Sequence, residues 1–350
     1  MSSIKTSATV IERPGEVNFR AVTLTPKRAD TVVCKTVFSA ISTGTDMKTY
    51  HGMQHPEQCY YPLVPGYENM GVVLEEGEYG KGFKKDDRVM INECRKYMDC
   101  CAAWGGGTLL VHKDSDNAGG AGDPLCKVPD NVSDTDAVLA YLACVPLKGI
   151  EYFNLKDHDV VLVFGAGMVG LSAVQILKIK NPTMTVIVAE PNPFRQAIAA
   201  HYADYVITPD AAGIAKLQEI TNGKKADKII ECSGNPAVPG ILYQYIKDGG
   251  WADDDEPGHI HLNGDYPEKL IFDHYHRWFV KNVNMSMTCA IKWRGKGQIL
   301  QWMSEGKFDT SHLPIEIWDA GKAKEAFEYQ SKNGANVFKI LFDWRNCRCV

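Results

Sequence analysis

The sequence has no apolar run long enough to cross a bilayer; its longest, "VVLVFGAGMVG" (160–170), is strand-length and broken by glycine. The opening "MSSIKTSATVIERPGE" has no basic segment followed by an apolar core, so no secretory signal is expected. Excess charge is missing too. A net charge of −5 over 350 residues and a pI near 6.1 give no electrostatic reason to expect nucleic acid or a membrane surface as partner. Nor is there a disulfide framework: the eleven cysteines are odd in number and lack small-scaffold spacing. They read as reduced thiols, which points to the cytoplasm. The ending "CRCV" looks like a prenylation box only superficially, since Arg348 is not aliphatic and Val350 is an unusual last residue. No repeat of 20–50 residues and no low-complexity linker is visible.

What is present is an ordinary globular composition, 45% hydrophobic and 23% charged, in a chain longer than one core usually serves. Two domains are expected. Residues 1 to about 145 hold short β-branched runs, "SATVIE", "TVVCKTVFSAIS", "MGVVLEEG" and "DRVMIN", separated by turn residues. A helix is expected over 134–153, capped by Ser133 or Asp134. Strands then alternate with helices: "DVVLVF", "TVIVAE", "YVITP", "DKIIE" and "HIHLNG" are strands, "LSAVQILKI" and "PFRQAIAAHY" helices. That rhythm implies βαβ units, a parallel sheet and helices on both faces. The last sixty residues mix elements and end in "NVFKILFDW", read as an alternating strand.

Gly165, Gly167 and Gly170 form GxGxxG directly after a strand, with Met168 and Val169 opening the following helix. The glycines permit the tight turn, the approach of a pyrophosphate and close helix–strand packing. Free N–H groups at the helix start favour the phosphate charge. Glu190, twenty residues after Gly170, can accept hydrogen bonds from ribose hydroxyls and would repel a 2′-phosphate, which favours NAD over NADP. Arg195 could instead serve a 2′-phosphate, but a solvated helix arginine is the expectation. Cys232 and Ser233 follow "DKIIE" at the sheet's C-terminal edge and plausibly flank the adenosine, though a small-residue helix cap explains them equally.

"GYENMGVVLEEG" resembles the medium-chain dehydrogenase/reductase signature Gly-His-Glu-x2-Gly-x5-Gly, matched at Gly66, Glu68, Gly71 and Gly77. "ISTGTD" resembles that family's Cys-x-Ser/Thr-Asp segment, and with the GxGxxG and Glu190 the resemblance covers nearly the whole chain. "ISTGTD…YPLVPGYE" and the terminal "FDW" look most like bacteriochlorophyllide dehydrogenases and uncharacterised sugar- and polyol-dehydrogenase-like relatives. The resemblance implies a GroES-like β-barrel catalytic domain (1–147 and 289–350) and a Rossmann domain (148–288) with a cleft between them. It also implies hydride transfer between an alcohol carbon and a nicotinamide, and assembly as a homodimer or homotetramer.

Zinc-dependent members bind their catalytic metal through Cys, His and Cys or Glu. The first position falls on Thr43, the second on Tyr67, and the third near Cys144 or Val145. A hydroxyl and a neutral phenol are poor zinc ligands, so no metal is expected; if any were held, Cys144 and Glu68 remain to hold it. The family's structural zinc uses four closely spaced cysteines, whereas Cys94, Cys100 and Cys101 are wrongly spaced here and read as free thiols. Without a metal, the proton of the alcohol has to leave to a side chain. Thr45 matches the family's relay hydroxyl and Lys48 the place of a relay histidine in some relatives. Tyr67 is then either an acid/base whose pKa Lys48 lowers, or a ring filling the vacated cavity. Asp46 is expected to fix the loop. Glu68 is expected to pair with a cation near the nicotinamide or to support the site from behind.

His259 with His261, and His274 with His276, would each share one face if their segments are strands, and surface histidines are the plainer reading than a metal site. The loop "HIHLNGDY" places Asn263 and Tyr266 near the cofactor, where relatives contact the nicotinamide. "WADDDEP" (251–257) is expected as a solvated acidic loop. "DHYHRWF" and "IKWRGKG" either line a pocket or pack one domain on the other. The resulting reading is an α/β, NAD-dependent oxidoreductase that lacks catalytic zinc. It acts on a secondary alcohol or ketone of the sugar, polyol or cyclitol class. Its rivals are a metal-free enone or quinone reductase and a dinucleotide-binding protein without turnover.

Overall fold

The computed structural model describes residues 4–55, 60–116, 124–266 and 269–348; the last two residues of "CRCV" lie outside them. Two compact units emerge, one of residues 1–141, 296–305 and 314–350, the other of 142–295 and 306–313.

In the first unit the β-branched runs form β1 (Ile4–Arg13), β2 (Glu16–Leu24) and β3 (Val32–Ala40), followed by the short helix α1 (Thr45–Tyr50). Then come β4 (Leu63–Val64), β5 (Asn69–Glu75), β6 (Arg88–Met90), β7 (Cys101–Ala102), β8 (Leu110–Lys113) and β9 (Cys126–Lys127). Helix α2 (Asp134–Ile150) carries the chain into the second unit. It is capped by Ser133, whose hydroxyl accepts from Asp136 N at 3.1 Å, and it ends three residues earlier than expected.

The second unit holds β10 (Val160–Phe164), α3 (Met168–Lys180), β11 (Thr185–Ala189), α4 (Pro193–Ala199), β12 (Tyr205–Ile207), α5 (Ala211–Ile220) and β13 (Lys228–Glu231). It continues through β14 (His259–Leu262), α6 (Tyr275–Phe279) and β15 (Asn284–Met287), after which α7 (Arg294–Ser304) leads back to the first unit. There the chain closes with β16 (Ile315–Asp319), α8 (Ala323–Asn333) and β17 (Lys339–Asp343).

The first unit is the GroES-like one. A four-stranded sheet runs β2-β1-β4-β7, and a larger one runs β16-β17-β3-β5-β6-β9 with β8 also on β3. Gly71 shows why the signature needs glycine: a Cβ there would stand 1.9 Å from the Lys35 carbonyl oxygen on the neighbouring strand. The second unit is a doubly wound sheet of order β12-β11-β10-β13-β14-β15 in which every pairing is parallel. Its apolar core gathers Leu162, Phe164, Ile187, Ile229, Leu262 and Trp278.

One strand reading needs correction, and β15 was not read at all. β17 does not alternate; Lys339 to Phe342 are all buried, because the strand lies between β16 and β3 inside the sheet. β15, "NMSM", has no β-branched residue to announce it; its place beside β14 is what makes it a strand. Of the two histidine pairs, only His259 and His261 lie on a strand, and both face the Ser286 hydroxyl, at 2.7 and 2.8 Å. His274 instead precedes α6 in a left-handed conformation, and His276 sits inside that helix. The acidic stretch 251–255 is exposed as expected, with Glu256 paired to Lys156 at 2.7 Å.

Candidate active site

In the first unit, "ISTGTD" leaves β3, turns and enters α1, which brings Ser42, Thr45 and Tyr67 together. Tyr67 Oη lies 2.6 Å from Ser42 Oγ and donates to Thr45 Oγ1 at 3.1 Å; Thr45 N donates to Ser42 Oγ at 3.3 Å. The ring is buried, stacked on Tyr141 at 4.9 Å and edge-on to Trp104 at 5.5 Å. Burial raises the Tyr67 pKa, and the Glu68 and Asp46 carboxylates raise it further; the Ser42 and Thr45 hydroxyls offset only part. The net shift is therefore upward, not the lowering expected. The charges that act most strongly on the phenol are negative, and they hold it neutral.

Asp46 fixes the loop, as its position suggested. Its Oδ2 accepts from Ser42 N at 2.9 Å and its Oδ1 from Gly66 N at 3.2 Å, which ties the turn before α1 to the residue before Tyr67. Burial pushes Asp46 up to about 7, with Glu68 adding to the effect and the two N–H donors and Lys339 opposing it. The cation expected for Glu68 is Lys339 on β17, whose Nζ reaches Glu68 Oε1 at 2.6 Å and Ile41 O at 3.0 Å. Both side chains are at most 1% exposed. Burial still raises the Glu68 pKa, the ammonium offsetting it in part. Behind Tyr67, Asn92 Nδ2 donates to the Tyr67 carbonyl at 2.8 Å, while the buried Lys296 donates to Asn92 Oδ1 at 2.9 Å. Ser42 and Lys339 escaped the sequence reading. Ser42 was inside the quoted motif, and Lys339 was the one cation in an otherwise largely apolar strand.

The positions corresponding to a catalytic zinc site do not suit the ion. The Tyr67 phenol is held neutral and committed to two hydroxyls, and Glu68 Oε1 is committed to Lys339. No group of three or more His, Cys, Asp or Glu side chains among the described residues is placed to hold a metal. Of the lobe cysteines, Cys94 is buried and Cys101 exposed. The segment is held by a Lys96–Asp114 ion pair at 2.7 Å and by Tyr97 Oη donating to Gly105 O at 2.5 Å.

In the second unit the glycine turn lies at the C-terminal end of β10, where ligands of such sheets bind. Gly165 has φ +91, and a Cβ on Gly170 would stand 1.9 Å from the Gly165 oxygen, so α3 can pack this close only with glycine there. Gly167 caps α3 without any side-chain bond to its first N–H groups, leaving Met168 and Val169 to present them. These features fit a dinucleotide pyrophosphate. Glu190 directly follows β11 and is buried, accepting from Ala166 N at 2.7 Å and Asn192 N at 2.9 Å. It thereby links the acid that would meet a ribose to the glycine turn itself.

Arg195 is not a solvated helix arginine. It is half-buried, and a Cβ on Gly167 would lie 3.7 Å from its Nη1, because the short turn capped by Asn192 starts α4 beside the glycine turn. Burial lowers its pKa, opposed by Glu190. Cys232 and Ser233 follow β13, and Ser233 packs against the turn: a Cβ on Gly165 would come within 2.9 Å of its Cα. Asn263, buried at the end of β14, and Tyr266 occupy the next loop. Asn263 N donates to the Glu231 carbonyl at 2.9 Å and the Tyr266 hydroxyl to the Glu231 carboxylate; Glu231 was not a candidate in the sequence reading. Thr43, Lys48 and Val145 are half-buried and Cys144 is buried in α2.

Residues 28–129 match the model of the alcohol dehydrogenase GroES-like domain, and residues 168–252 that of zinc-binding dehydrogenase. The uncharacterized zinc-type alcohol dehydrogenase-like protein YdjJ of Escherichia coli (strain K12) is 24% identical over 366 residues, covering 96% of this chain and 98% of the relative. Sorbitol dehydrogenase of Halalkalibacterium halodurans is 29% identical over 56% of this chain and 60% of its own length. Two solved structures share the fold. An alcohol dehydrogenase from E. coli CFT073 complexed with NADH has TM-score 0.78 at 21% identity, over 97% of this chain and 99% of that one. A zinc-binding dehydrogenase from Sinorhizobium meliloti 1021 bound to NADP has TM-score 0.77 at 17% identity, over 98% and 100%. With the GroES-like unit, the doubly wound unit and both family models in agreement, the chain belongs to the medium-chain dehydrogenase/reductase family.

Proposed function

We propose that the protein is an NAD-dependent oxidoreductase that transfers a hydride between nicotinamide and a secondary alcohol or ketone of the sugar, polyol or cyclitol class, without catalytic zinc. The observation that carries the metal-free part is the Tyr67 hydroxyl, bonded to Ser42 and Thr45 at the position of a family zinc ligand. Glu190 beside the glycine turn supports NAD, and the sorbitol dehydrogenase relative supports a polyol substrate. Gly165, Gly167 and Gly170, the N–H groups of Met168 and Val169, and Glu190 would hold the cofactor, with Arg195, Cys232, Ser233 and Asn263 around it. The bound nicotinamide would supply the hydride acceptor.

The chain's own task is the proton. As an alcohol loses hydride, its O–H proton has to depart. Thr45 Oγ1, held by the Tyr67 hydroxyl at 3.1 Å, turns its own hydrogen toward the substrate oxygen, and the proton the alcohol loses leaves to solvent water. Tyr67 works as a neutral donor, since its surroundings oppose a phenolate. In the reducing direction the same hydroxyls stabilise the developing alkoxide. Assembly as a homodimer or homotetramer and a cytoplasmic location belong to the same proposal, as do small-molecule partners alone; no helix among the described residues is long and apolar enough to cross a membrane. A screen of polyols, sugars and cyclitols with NAD after exhaustive chelation tests the reading. NADH formation with one of them supports it, and reduction of no cofactor with any alcohol overturns it.

A further inference from the structure

We infer that Glu231 is a positioning residue for the nicotinamide half of a bound dinucleotide, tying the loop after β13 to the loop after β14 where the sheet order reverses. This rests on reading the second unit as a nicotinamide dinucleotide site. In the order β12-β11-β10-β13-β14-β15 the chain runs outward in both directions from the β10–β13 boundary, and a dinucleotide lies across that boundary. Glu231 is the last residue of β13, paired in register with Phe164 just before the glycine turn, and it is fully buried.

A carboxylate buried there is costly unless donors satisfy it. Three do: Ser233 N at 2.7 Å, the Ser233 hydroxyl, and the Tyr266 hydroxyl from the next loop. Burial raises the Glu231 pKa, and these donors oppose the rise. The two loops also touch backbone to backbone. A Cβ on Gly264 would stand 2.9 Å from Gly234 Cα and 3.0 Å from Glu231 Oε2, so neither loop can shift without the other. On the opposite side, Ser233 abuts Gly165. One carboxylate therefore sets the spacing of the loops after β13 and β14.

Each half of a doubly wound sheet takes one mononucleotide. The half from β10 to β12 carries the glycine turn and Glu190 and takes the adenosine side. The half from β13 to β15 takes the nicotinamide side. The Tyr266–Glu231 bond lies wholly in the second half, so cutting it loosens only that side of the cleft.

Isothermal titration of the full chain with NADH and with AMP, which lacks the whole nicotinamide mononucleotide, tests this. In Tyr266→Phe and Glu231→Gln, NADH affinity is expected to fall about tenfold, with AMP affinity within about twofold of wild type. A merely structural role would move both ligands together or neither, and either result overturns the inference. Tyr266→Phe keeps the ring and decides the matter if Glu231→Gln does not fold. Wild-type protein that binds neither ligand overturns the nicotinamide reading itself.

Discussion

Replacing Lys339 by Met keeps most of the side chain's volume and removes its charge. Glu68 Oε1 then loses a partner 2.6 Å away in a site where both side chains are at most 1% exposed. Removing one partner of a buried pair costs about 3–5 kcal/mol. The loss has a ceiling, because Glu68 can protonate instead of remaining an unpaired anion. From the ordinary glutamate value of 4.5, protonating it at pH 7 costs about 3.4 kcal/mol and at pH 5.5 about 1.4 kcal/mol. The sign follows from linkage: a carboxyl whose folded pKa is raised leaves the folded state holding more protons than the unfolded one. Stability then falls as pH rises above 4.5. Lys339→Met is therefore expected to lower the urea midpoint by roughly 1–1.5 M at pH 7 and by less than half as much at pH 5.5. Glu68→Gln in the same background should recover about 2 kcal/mol at pH 7 and flatten the pH dependence. The assay is urea unfolding by circular dichroism and tryptophan fluorescence at both pH values. A midpoint within 0.2 M of wild type, or a loss equal at both pH values, would refute the buried-pair reasoning.

Tyr67→Phe keeps the stacked ring but removes the hydroxyl node, so turnover of any alcohol found active should drop about 10²-fold while the thermal midpoint stays close to wild type; unchanged turnover shows that the phenol only fills space. Gly170→Ala forces a Cβ to within 1.9 Å of the Gly165 oxygen, so it should weaken NADH binding at least about tenfold and cost about 1–3 kcal/mol by overpacking; titration and melting check it. His261 is buried neutral, its pKa lowered to about 4 by burial and by His259. Its contribution is complete above pH 6.5 and lost as pH falls toward 4, about 1–2 kcal/mol at pH 5 after screening. Urea unfolding of His261→Gln against wild type at pH 7 and pH 5 should show the pH-dependent loss only in wild type.

The second unit was legible because its signals are local. GxGxxG, the acid twenty residues on and the strand–helix rhythm each lie within a short window. The first unit announced itself through spaced glycines, whose need became visible only when Gly71 met the Lys35 carbonyl across the sheet. What stayed hidden depends on contacts distant in sequence. Lys339 reaches Glu68 from the far end of the chain, and Tyr266 reaches Glu231 from another loop. No spacing rule connects such pairs. Ser42, one residue before the expected ligand position, holds the phenol, and no spacing rule singled it out. Arg195 was misread because a helix arginine looks solvated until the helix start is placed beside the glycine turn.

The measurement that tests the account most directly is elemental analysis of the purified protein for zinc, joined to NAD reduction by polyols before and after chelation. The account predicts no stoichiometric zinc and NADH formation that survives chelation. Stoichiometric zinc whose removal abolishes turnover, and whose return restores it, would contradict the hydroxyl node as the seat of the alcohol chemistry.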